Sequence, residues 1–184
     1  MGLHREALLV LGYFAVSGYH LYILQEHTVL PDGMEPEAAV AVLMPLTSVA
    51  MVVSTVLGGY LSVRFDRRKL FVGASALLSA VALVIPAVSA SWTAMPSFAA
   101  LNGLAFGCYM AVDTALVTMV LPEAEDAARD MGVLNVANAG PQIIAPFVAS
   151  VIVSFSDGYT ALFVVAAVLA LAGALAVKPI RNVR

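Results

Sequence analysis

Long uncharged apolar runs, separated by short polar stretches, make up most of the chain. A helix needs about 20 apolar residues to cross the hydrocarbon core of a bilayer, which is about 30 Å thick. Runs of this length cover about residues 7–28, 38–62, 70–88, 96–121, 131–155 and 159–177. The pattern predicts an all-α polytopic membrane protein, in which residues 1–184 form a single domain of six transmembrane helices.

The third and fourth spans come from one stretch, residues 70–112, that carries no charged residue. As a single helix it would be about 65 Å long at 1.5 Å per residue, about twice the thickness of the hydrocarbon core. We therefore expect it to fold back once. Pro86 and Pro96, with Trp92 between them, mark the turn, because Trp favours the membrane interface. In the first span, residues 25–27 indicate a loosened outer end.

The basic residues lie in a few short polar stretches. Residues 64–69 hold four of the nine Lys and Arg residues between two uncharged runs. Lys and Arg close to the ends of spans remain on the cytoplasmic side of a membrane. With six spans, all nine fall on one side and none falls in the three opposite loops. We therefore predict a multi-pass protein of the cell (plasma) membrane with both termini cytoplasmic.

The composition excludes a water-facing surface over most of the protein. Of the 184 residues, 61% are hydrophobic and only 11% are charged, with a mean hydropathy of +0.95, whereas about 25% of the residues in a soluble domain are charged. The lipid bilayer is then a partner, and basic residues confined to loops and a tail exclude nucleic acid. The single Cys108 excludes an internal disulfide, and its apolar surroundings indicate a packing role.

The sequence offers no chemistry for an enzyme. It has no glycine-rich phosphate loop and no cluster of metal ligands, and His4, His20 and His27 do not pair with a suitable Cys or Asp. We therefore expect no cofactor, no metal site and no catalytic residues.

Polar residues are distributed unevenly among the spans. The first, second, fourth and fifth spans carry several: Ser17 and His20; Thr47, Ser48, Ser54 and Thr55; Asn102, Asp113, Thr114 and Thr118; Asn135, Asn138 and Gln142. The third and sixth spans carry few, so the last helix of each triplet is the most lipid-like. This rhythm indicates a 3+3 repeat, an internal symmetry that is common in transporter folds.

Asp113 is the strongest candidate for a functional residue. A charge deep in a membrane costs about 2.5–3.5 kcal/mol, so intramembrane carboxylates usually face a cavity or a partner. Four residues follow one another at spacings of four, three and four, which places them on one helix face: Asn102, Phe106, Tyr109 and Asp113. Either this stripe lines a path for a substrate or proton, or Asp113 pairs with a basic residue or caps a helix end.

Other polar groups allow both a functional and a structural interpretation. Asn135, Asn138 and Gln142 share one face of the fifth span. Their amides either bind a polyhydroxylated solute or bond to a neighbouring helix. His20 either titrates near neutral pH as part of the path or is a hydrogen-bonded packing residue among its aromatic neighbours.

Gly103 and Gly107 form a small-xxx-small pair on a neighbouring face of the fourth span. Small residues at this spacing let two helix backbones approach closely within a membrane. We therefore expect the fourth span to contact another helix closely at these glycines.

The basic hairpin resembles a loop motif of the major facilitator superfamily, which runs Gly, three residues, Asp, a basic residue, any residue, Gly and two basic residues. Four positions match it: Gly59, Arg64, Arg67 and Arg68. Val63 stands in place of the Asp, and Asp66 stands in place of the second Gly. Residues 109–122 and 129–142 resemble the tenth helix, the following loop and the eleventh helix of bacterial members, including relatives of sugar–cation symporters.

The resemblance implies the C-terminal half of a twelve-helix transporter, with six helices in each half and the substrate path between the halves. The first and fourth helices of the chain would line the path, and the fifth would lie at the seam between the halves. The resemblance implies secondary active transport of a small solute, a sugar being one candidate, coupled to protons or cations. It also implies a partner, either a second six-helix half or another copy of the chain.

Two alternatives stay open at this point. The chain could be half of a drug or metabolite efflux transporter of the same family. It could also be a non-transporting membrane component, either a remnant or an assembly subunit.

Overall fold

Nearly all of the described chain is helical. The computed structural model describes residues 3–65, 68–120, 127–156 and 158–176. Within these ranges lie seven α-helices and no β-strand, which confirms the all-α class: α1 (Leu3–Ser17), α2 (His20–Tyr22), α3 (Pro36–Arg64), α4 (Arg68–Val88), α5 (Met95–Val120), α6 (Ala127–Ser156) and α7 (Thr160–Ala176). A π-turn (Ile23–His27) extends α2, and a 3₁₀ turn (Trp92–Ala94) precedes α5.

Four of the described helices are long and apolar enough to cross a membrane: Pro36–Arg64, Leu70–Val88, Trp92–Val112 and Ala139–Ser156. A further apolar helix, Thr160–Leu175, is shorter. The predicted first span is not among them because its helix is interrupted. These helices support a multi-pass membrane protein, and the count of six spans stays a prediction.

The first predicted span consists of two helical pieces rather than one. α1 ends just before Gly18, and the amide of Tyr19 donates to the carbonyl of Val16 at 3.1 Å instead of to the residue four before it. α2 follows and leads into the π-turn, where the Thr28 amide donates to the Ile23 carbonyl at 3.0 Å. The outer end that the sequence indicates as loosened is therefore a hydrogen-bonded π-turn, and the interruption lies earlier.

The uncharged stretch after the basic hairpin folds back once, as predicted. α4 ends at Val88 and α5 begins at Met95, with the 3₁₀ turn between them. Pro96 is the second residue of α5, where its missing amide hydrogen would have had no partner within the helix. Pro86 lies in the last turn of α4, close to the end of that helix.

The pairs of closely packed helices are symmetric with respect to the two halves of the chain. We number the spans in chain order, with α1 to the π-turn as the first and α3 to α7 as the second to sixth. The closest pairs are second with fourth, third with fourth, third with sixth, first with sixth and first with fifth. Exchanging the first three spans with the last three returns the same set of pairs.

The second and fifth spans are the most exposed. In the most apolar stretch of each helix, 6% of the α3 residues and 17% of the α6 residues are buried, against 39% in α4 and 56% in the stretch that includes α5. The reason is that α3 packs closely mainly against α5, and α6 mainly against α1. The third and sixth spans, which their composition marks as the most lipid-like, pack closely against each other, and the third also packs against the fourth and the sixth against the first.

α3 and α5 approach closely at the glycines that the sequence singles out. A Cβ at Gly103 would lie 2.5 Å from the carbonyl oxygen of Thr47, and a Cβ at Gly107 would overlap the carbonyl of Met51. From the other side, a Cβ at Gly58 would lie 2.9 Å from the sulfur of Cys108. These contacts confirm the predicted close approach and give Cys108 a role in helix packing.

Hydroxyl groups of α3 add hydrogen bonds across the same contact. Ser54 Oγ donates to the carbonyl of Leu104 at 2.5 Å. Thr55 Oγ1 lies 2.8 Å from the carbonyl of Met51 in its own helix and 3.2 Å from the carbonyl of Gly107 in α5. These bonds fix α5, which carries several candidate site residues, relative to α3.

Candidate functional site

Three of the candidate residues on α5 share one buried face. Asn102, Phe106 and Tyr109 are 2%, 5% and 2% exposed. Aromatic and polar side chains of α1 and α4 cover this face, so it is part of the interior of the chain. Asp113, the fourth member of the stripe, belongs to α5, and its side chain lies outside the described residues.

Asn102 joins two helices. Its Oδ1 accepts a hydrogen bond of 3.3 Å from Ser79 Oγ of α4. Both side chains are buried, at 2% and 3% exposure, where no water competes for the bond. This contact is an interhelical bond, and it stabilises the pairing of α4 with α5.

An aromatic cluster fills the space between α1 and α5. The rings of Tyr13 and Phe106 are stacked, with 3.7 Å between their centroids and 8° between their planes. Phe14 meets Phe106 edge-on at 5.8 Å, and Tyr109 lies 6.2 Å from Phe106. Because α1 and α5 are not among the closely packed helix pairs, these side chains carry the contact between them.

The first span turns a polar face towards α5. Tyr13 lies against Phe106, and His20 lies 6.1 Å from Phe98. The second contact is about two helical turns away from the first on both the first span and α5. Ser17 lies between Tyr13 and His20, and all three residues are half-buried. Nδ1 of His20 is buried.

This polar face was only partly visible in the sequence. In the sequence, Ser17 and His20 stand out as polar residues of the first span, whereas Tyr13 does not. The signal that could have found it is the spacing of four and three residues from Tyr13 to Ser17 to His20, which is typical of one helix face.

The fifth-span candidates lie on α6, which is one of the two most exposed helices. Gln142 is exposed, while Asn135 and Asn138 belong to the helix but their side chains lie outside the described residues. Large apolar side chains follow Gln142 on the exposed part of α6, including Phe147, which is 72% exposed, and Phe155, which is 89% exposed.

The loop-motif residues lie where α3 ends and α4 begins. Gly59 of α3 faces α5, since a Cβ there would lie 3.7 Å from Ala111 Cβ. Arg64 ends α3; its Nη1 donates to Tyr60 Oη at 3.2 Å, and its guanidinium carbon lies 5.9 Å from the centre of the same ring. Arg67 and the side chain of Arg68 lie outside the described residues.

A polar cluster at the end of the helix bundle opposite the loop-motif residues was not predicted. Tyr159 Oη donates a hydrogen bond of 2.9 Å to Glu26 Oε2, and His27 Nε2 lies 2.9 Å from the carbonyl oxygen of Pro86. The sequence did contain one signal, because Glu26 is the only carboxylate in the first predicted span. In the sequence, its position indicates only a loosened helix end.

The long apolar helices, joined by hydrogen bonds and glycine contacts, define a multi-pass membrane protein. The polar side chains between its helices are largely hydroxyl, amide, phenol and imidazole groups.

The comparison with known families agrees. The sequence model of the Major Facilitator Superfamily matches residues 8–183. The chain therefore belongs to the major facilitator superfamily, whose members are membrane transporters and not enzymes. No curated protein and no solved structure matches the chain.

Proposed function

We propose that the chain forms one wall of the path of a secondary active transporter for a small uncharged polar solute, with sugars and polyols as the best match. The observation that carries the proposal is the half-buried polar face of Tyr13, Ser17 and His20. It offers a phenol, a hydroxyl and an imidazole, and Ser17 is hydrogen-bonded to Tyr13 through its side chain and to His20 through its backbone. These groups donate and accept hydrogen bonds, as a hydroxyl-rich solute requires.

Aromatic rings on the same face support this class of solute. Tyr13 stacks on Phe106, and His20 lies beside Phe98. Pockets for small molecules combine apolar and aromatic walls with a few placed polar groups. A lipid contact explains this face less well, because polar groups that face hydrocarbon are costly.

The proposed topology is a six-helix half with a 3+3 repeat, which lies in the plasma membrane and has both termini on the cytoplasmic side. The exchange symmetry of the helix pairs supports the repeat, since it maps each span onto the one three places away. The one-sided distribution of Lys and Arg supports the orientation. The half corresponds to the C-terminal half of the family fold.

A second six-helix unit would complete the path. The exposure of α3 and α6 supports this, because these two helices have the fewest buried residues in their apolar stretches among the candidate spans described. The sequence pattern places Asn135, Asn138 and Gln142 on one face of α6, and Phe147 of the same helix is 72% exposed. The partner is either a second copy of the chain or a matching half.

Proton or cation coupling is assigned to Asp113 in this proposal. It is a carboxylate in a helix that is otherwise free of charge from Met95 to Val120. Intramembrane carboxylates mark ion pathways and proton relays. Asp113 follows Tyr109 by four residues, a spacing that is typical of residues on one helix face.

The test measures water access along the first span. Cys108→Ser removes the only cysteine, and Ser17→Cys then introduces a thiol of nearly the same size. A charged, membrane-impermeant thiol reagent should label Ser17→Cys, because thiols react as thiolates and these form where water reaches. Neutral sugars and polyols, added one at a time, should slow the labelling when they occupy the path.

The matched control is Val81→Cys in the same background. Val81 is 52% exposed on α4, in a span that carries few polar residues, so its thiol should react slowly although its side chain is exposed. Labelling of Ser17→Cys that is as slow as that of Val81→Cys would rule out the path.

A further inference from the structure

At the end of the helix bundle opposite the basic hairpin, the first span is bonded to its neighbours at several points. We call this the distal end; it comprises the loops 28–35 and 89–94 and the start of α7. Residues 23–29 contact α4, the 89–94 loop and the start of α7 there, through side chains and backbone together. The rest of the first span has no comparable set of hydrogen bonds to other helices among those in the described ranges.

Two side-chain hydrogen bonds connect residues 23–29 to other spans. Tyr159 Oη donates to Glu26 Oε2 at 2.9 Å and so ties the turn to the start of α7. His27 Nε2 lies 2.9 Å from the Pro86 carbonyl oxygen. Since a carbonyl oxygen only accepts, Nε2 carries the hydrogen, and His27 caps one of the last carbonyl groups of α4.

Aromatic rings pack around the same histidine. The ring of His27 lies 5.5 Å from Phe163 and 6.4 Å from Tyr159. Phe163 is fully buried and Tyr159 is only 5% exposed. The polar contacts are therefore shielded on the α7 side, which strengthens them.

Backbone hydrogen bonds extend the contact to the neighbouring loop. The Val29 amide donates to the Ala90 carbonyl at 2.7 Å, and the Trp92 amide donates to the Val29 carbonyl at 3.2 Å. Thr28 closes the π-turn with both its amide and its hydroxyl, which donate to the Ile23 carbonyl at 3.0 and 3.2 Å. Residues 23–29 are thus hydrogen-bonded to neighbouring segments through both side chains and backbone.

The helix break at Gly18 and Tyr19 lies just before residues 23–29 in the chain. Gly18 is exposed, and the Tyr19 amide makes a tighter turn to Val16 rather than a regular helical bond. Tyr19 Oη lies 3.4 Å from the Pro146 carbonyl, and its ring lies 5.7 Å from that of Tyr22 and 6.4 Å from that of Tyr159. Gly has the greatest backbone freedom of any residue, so the chain can bend here at low cost.

We propose that residues 23–29 form a distal clasp, which fixes the outer end of the first span to the third and sixth spans and leaves Gly18 and Tyr19 as the hinge of α1. The face of Tyr13 and Ser17 then moves with α1 while the π-turn stays in place. The use of this motion in transport rests on the proposed function, whereas the clasp and the hinge do not.

Hydrogen–deuterium exchange of the intact chain in detergent or nanodiscs tests the clasp without a substrate. In the wild type, the amides of residues 23–29 should exchange more slowly than those of residues 17–20. Tyr159→Phe and His27→Ala should each speed exchange over residues 23–29 by about tenfold, the effect expected when one hydrogen bond no longer opposes local opening. Glu26→Gln keeps an acceptor oxygen and should stay near the wild type.

Tyr22→Phe is the matched control, because Tyr22 lies at the same end of the first span but is 51% exposed and makes no part of the clasp. It should leave exchange at residues 23–29 unchanged. Peptides from α3 and α5 should keep their protection in every variant, which shows that the protein is still folded. Equal exchange at residues 17–20 and 23–29, or no effect of both Tyr159→Phe and His27→Ala in folded protein, would overturn the clasp.

The two proposals fail separately. Slow exchange at residues 23–29 together with no aqueous labelling of Ser17→Cys would keep the clasp and reject the path. Aqueous labelling of Ser17→Cys together with fast exchange at residues 23–29 would keep the path and reject the clasp.

Discussion

At the scale of single residues, Gly107 sets how closely α3 and α5 approach. A Cβ there would overlap the backbone carbonyl of Met51, and backbone atoms cannot rotate away as a side chain can. Gly107→Ala should therefore push the two helices apart. Overpacking of this kind costs about 1–3 kcal/mol, and we expect the free energy of unfolding in detergent to fall by that amount.

Gly73→Ala is the control for this prediction. Gly73 lies inside α4, and a Cβ there would meet nothing within 4 Å. Alanine is also the better helix former, by about 1 kcal/mol, so Gly73→Ala should be neutral or stabilising. If both variants lost the same stability, the close contact would not be the cause.

The contact at these glycines could be predicted from the sequence, but the surroundings of Asn102 could not. Small residues four apart have one common use in membranes, so Gly103 and Gly107 predict a helix contact wherever the partner helix comes from. The spacing from Asn102 to Tyr109 also fixes which residues share a face. Spacing says nothing about what that face meets, and in the structure it meets Ser79 and the rings of α1.

At the scale of helices, the bond from Ser79 to Asn102 links α4 to α5. Interhelical hydrogen bonds in membranes contribute about 0.6–2 kcal/mol. We expect Ser79→Ala to lower the free energy of unfolding by about this amount, because Asn102 Oδ1 then loses the donor that reaches it from α4. Solute binding, measured as protection of Ser17→Cys from labelling, should be unchanged.

Ser48→Ala serves as the comparison. Ser48 Oγ donates to the Met44 carbonyl within α3 and is exposed, so its loss should leave stability nearly unchanged. A loss of solute protection in Ser79→Ala, with stability intact, would mean that Asn102 belongs to the path after all.

The sequence predicts the positions of the helices better than it predicts where a helix is interrupted. The fold-back between Val88 and Met95 is required by the length of the uncharged run, which no single helix could accommodate. The break at Gly18 and Tyr19 has no such signal, because an isolated Gly is tolerated within many apolar helices. The bond from Tyr159 to Glu26 joins residues 133 positions apart, and a local pattern cannot predict such a pair.

At the scale of the whole molecule, the exposed faces of α3 and α6 bear on assembly. Phe147 is 72% exposed on α6, at the helix where the proposed seam lies. A photo-crosslinking benzoylphenylalanine at position 147 should capture a second six-helix unit in native membranes at near-natural expression. Capture of another copy would double the mass, and capture of a matching half would give a mixed product.

The same crosslinker at Val81 provides the comparison, because Val81 is also exposed but lies on α4, away from the proposed seam. It should react mainly with lipid. Uncrosslinked chain alone at position 147, or equal protein capture at both positions, would count against a second unit on α6.

Coupling is also a property of the whole molecule, since a gradient must be linked to movement of a solute across both walls of the path. Asp113→Asn keeps the size and the hydrogen bonding of the side chain but removes its titration. In vesicles that contain the complete assembly and hold a set pH difference, the variant should lose accumulation driven by the gradient. Exchange of solute should survive in part, because it returns the coupling site to the same state in each cycle.

A purely structural Asp113 gives a different result. Asp113→Asn should then lower expression or thermal stability, and the remaining uptake should keep the pH dependence of the wild type. Val112→Ala serves as the control for loss of packing without loss of a carboxyl group, because Val112 is fully buried in the same helix, and it should leave coupling intact. Gradient-driven uptake at the wild-type level in Asp113→Asn would remove the carboxylate from the coupling mechanism, because no titrating group would be left on that position of α5 to carry the proton.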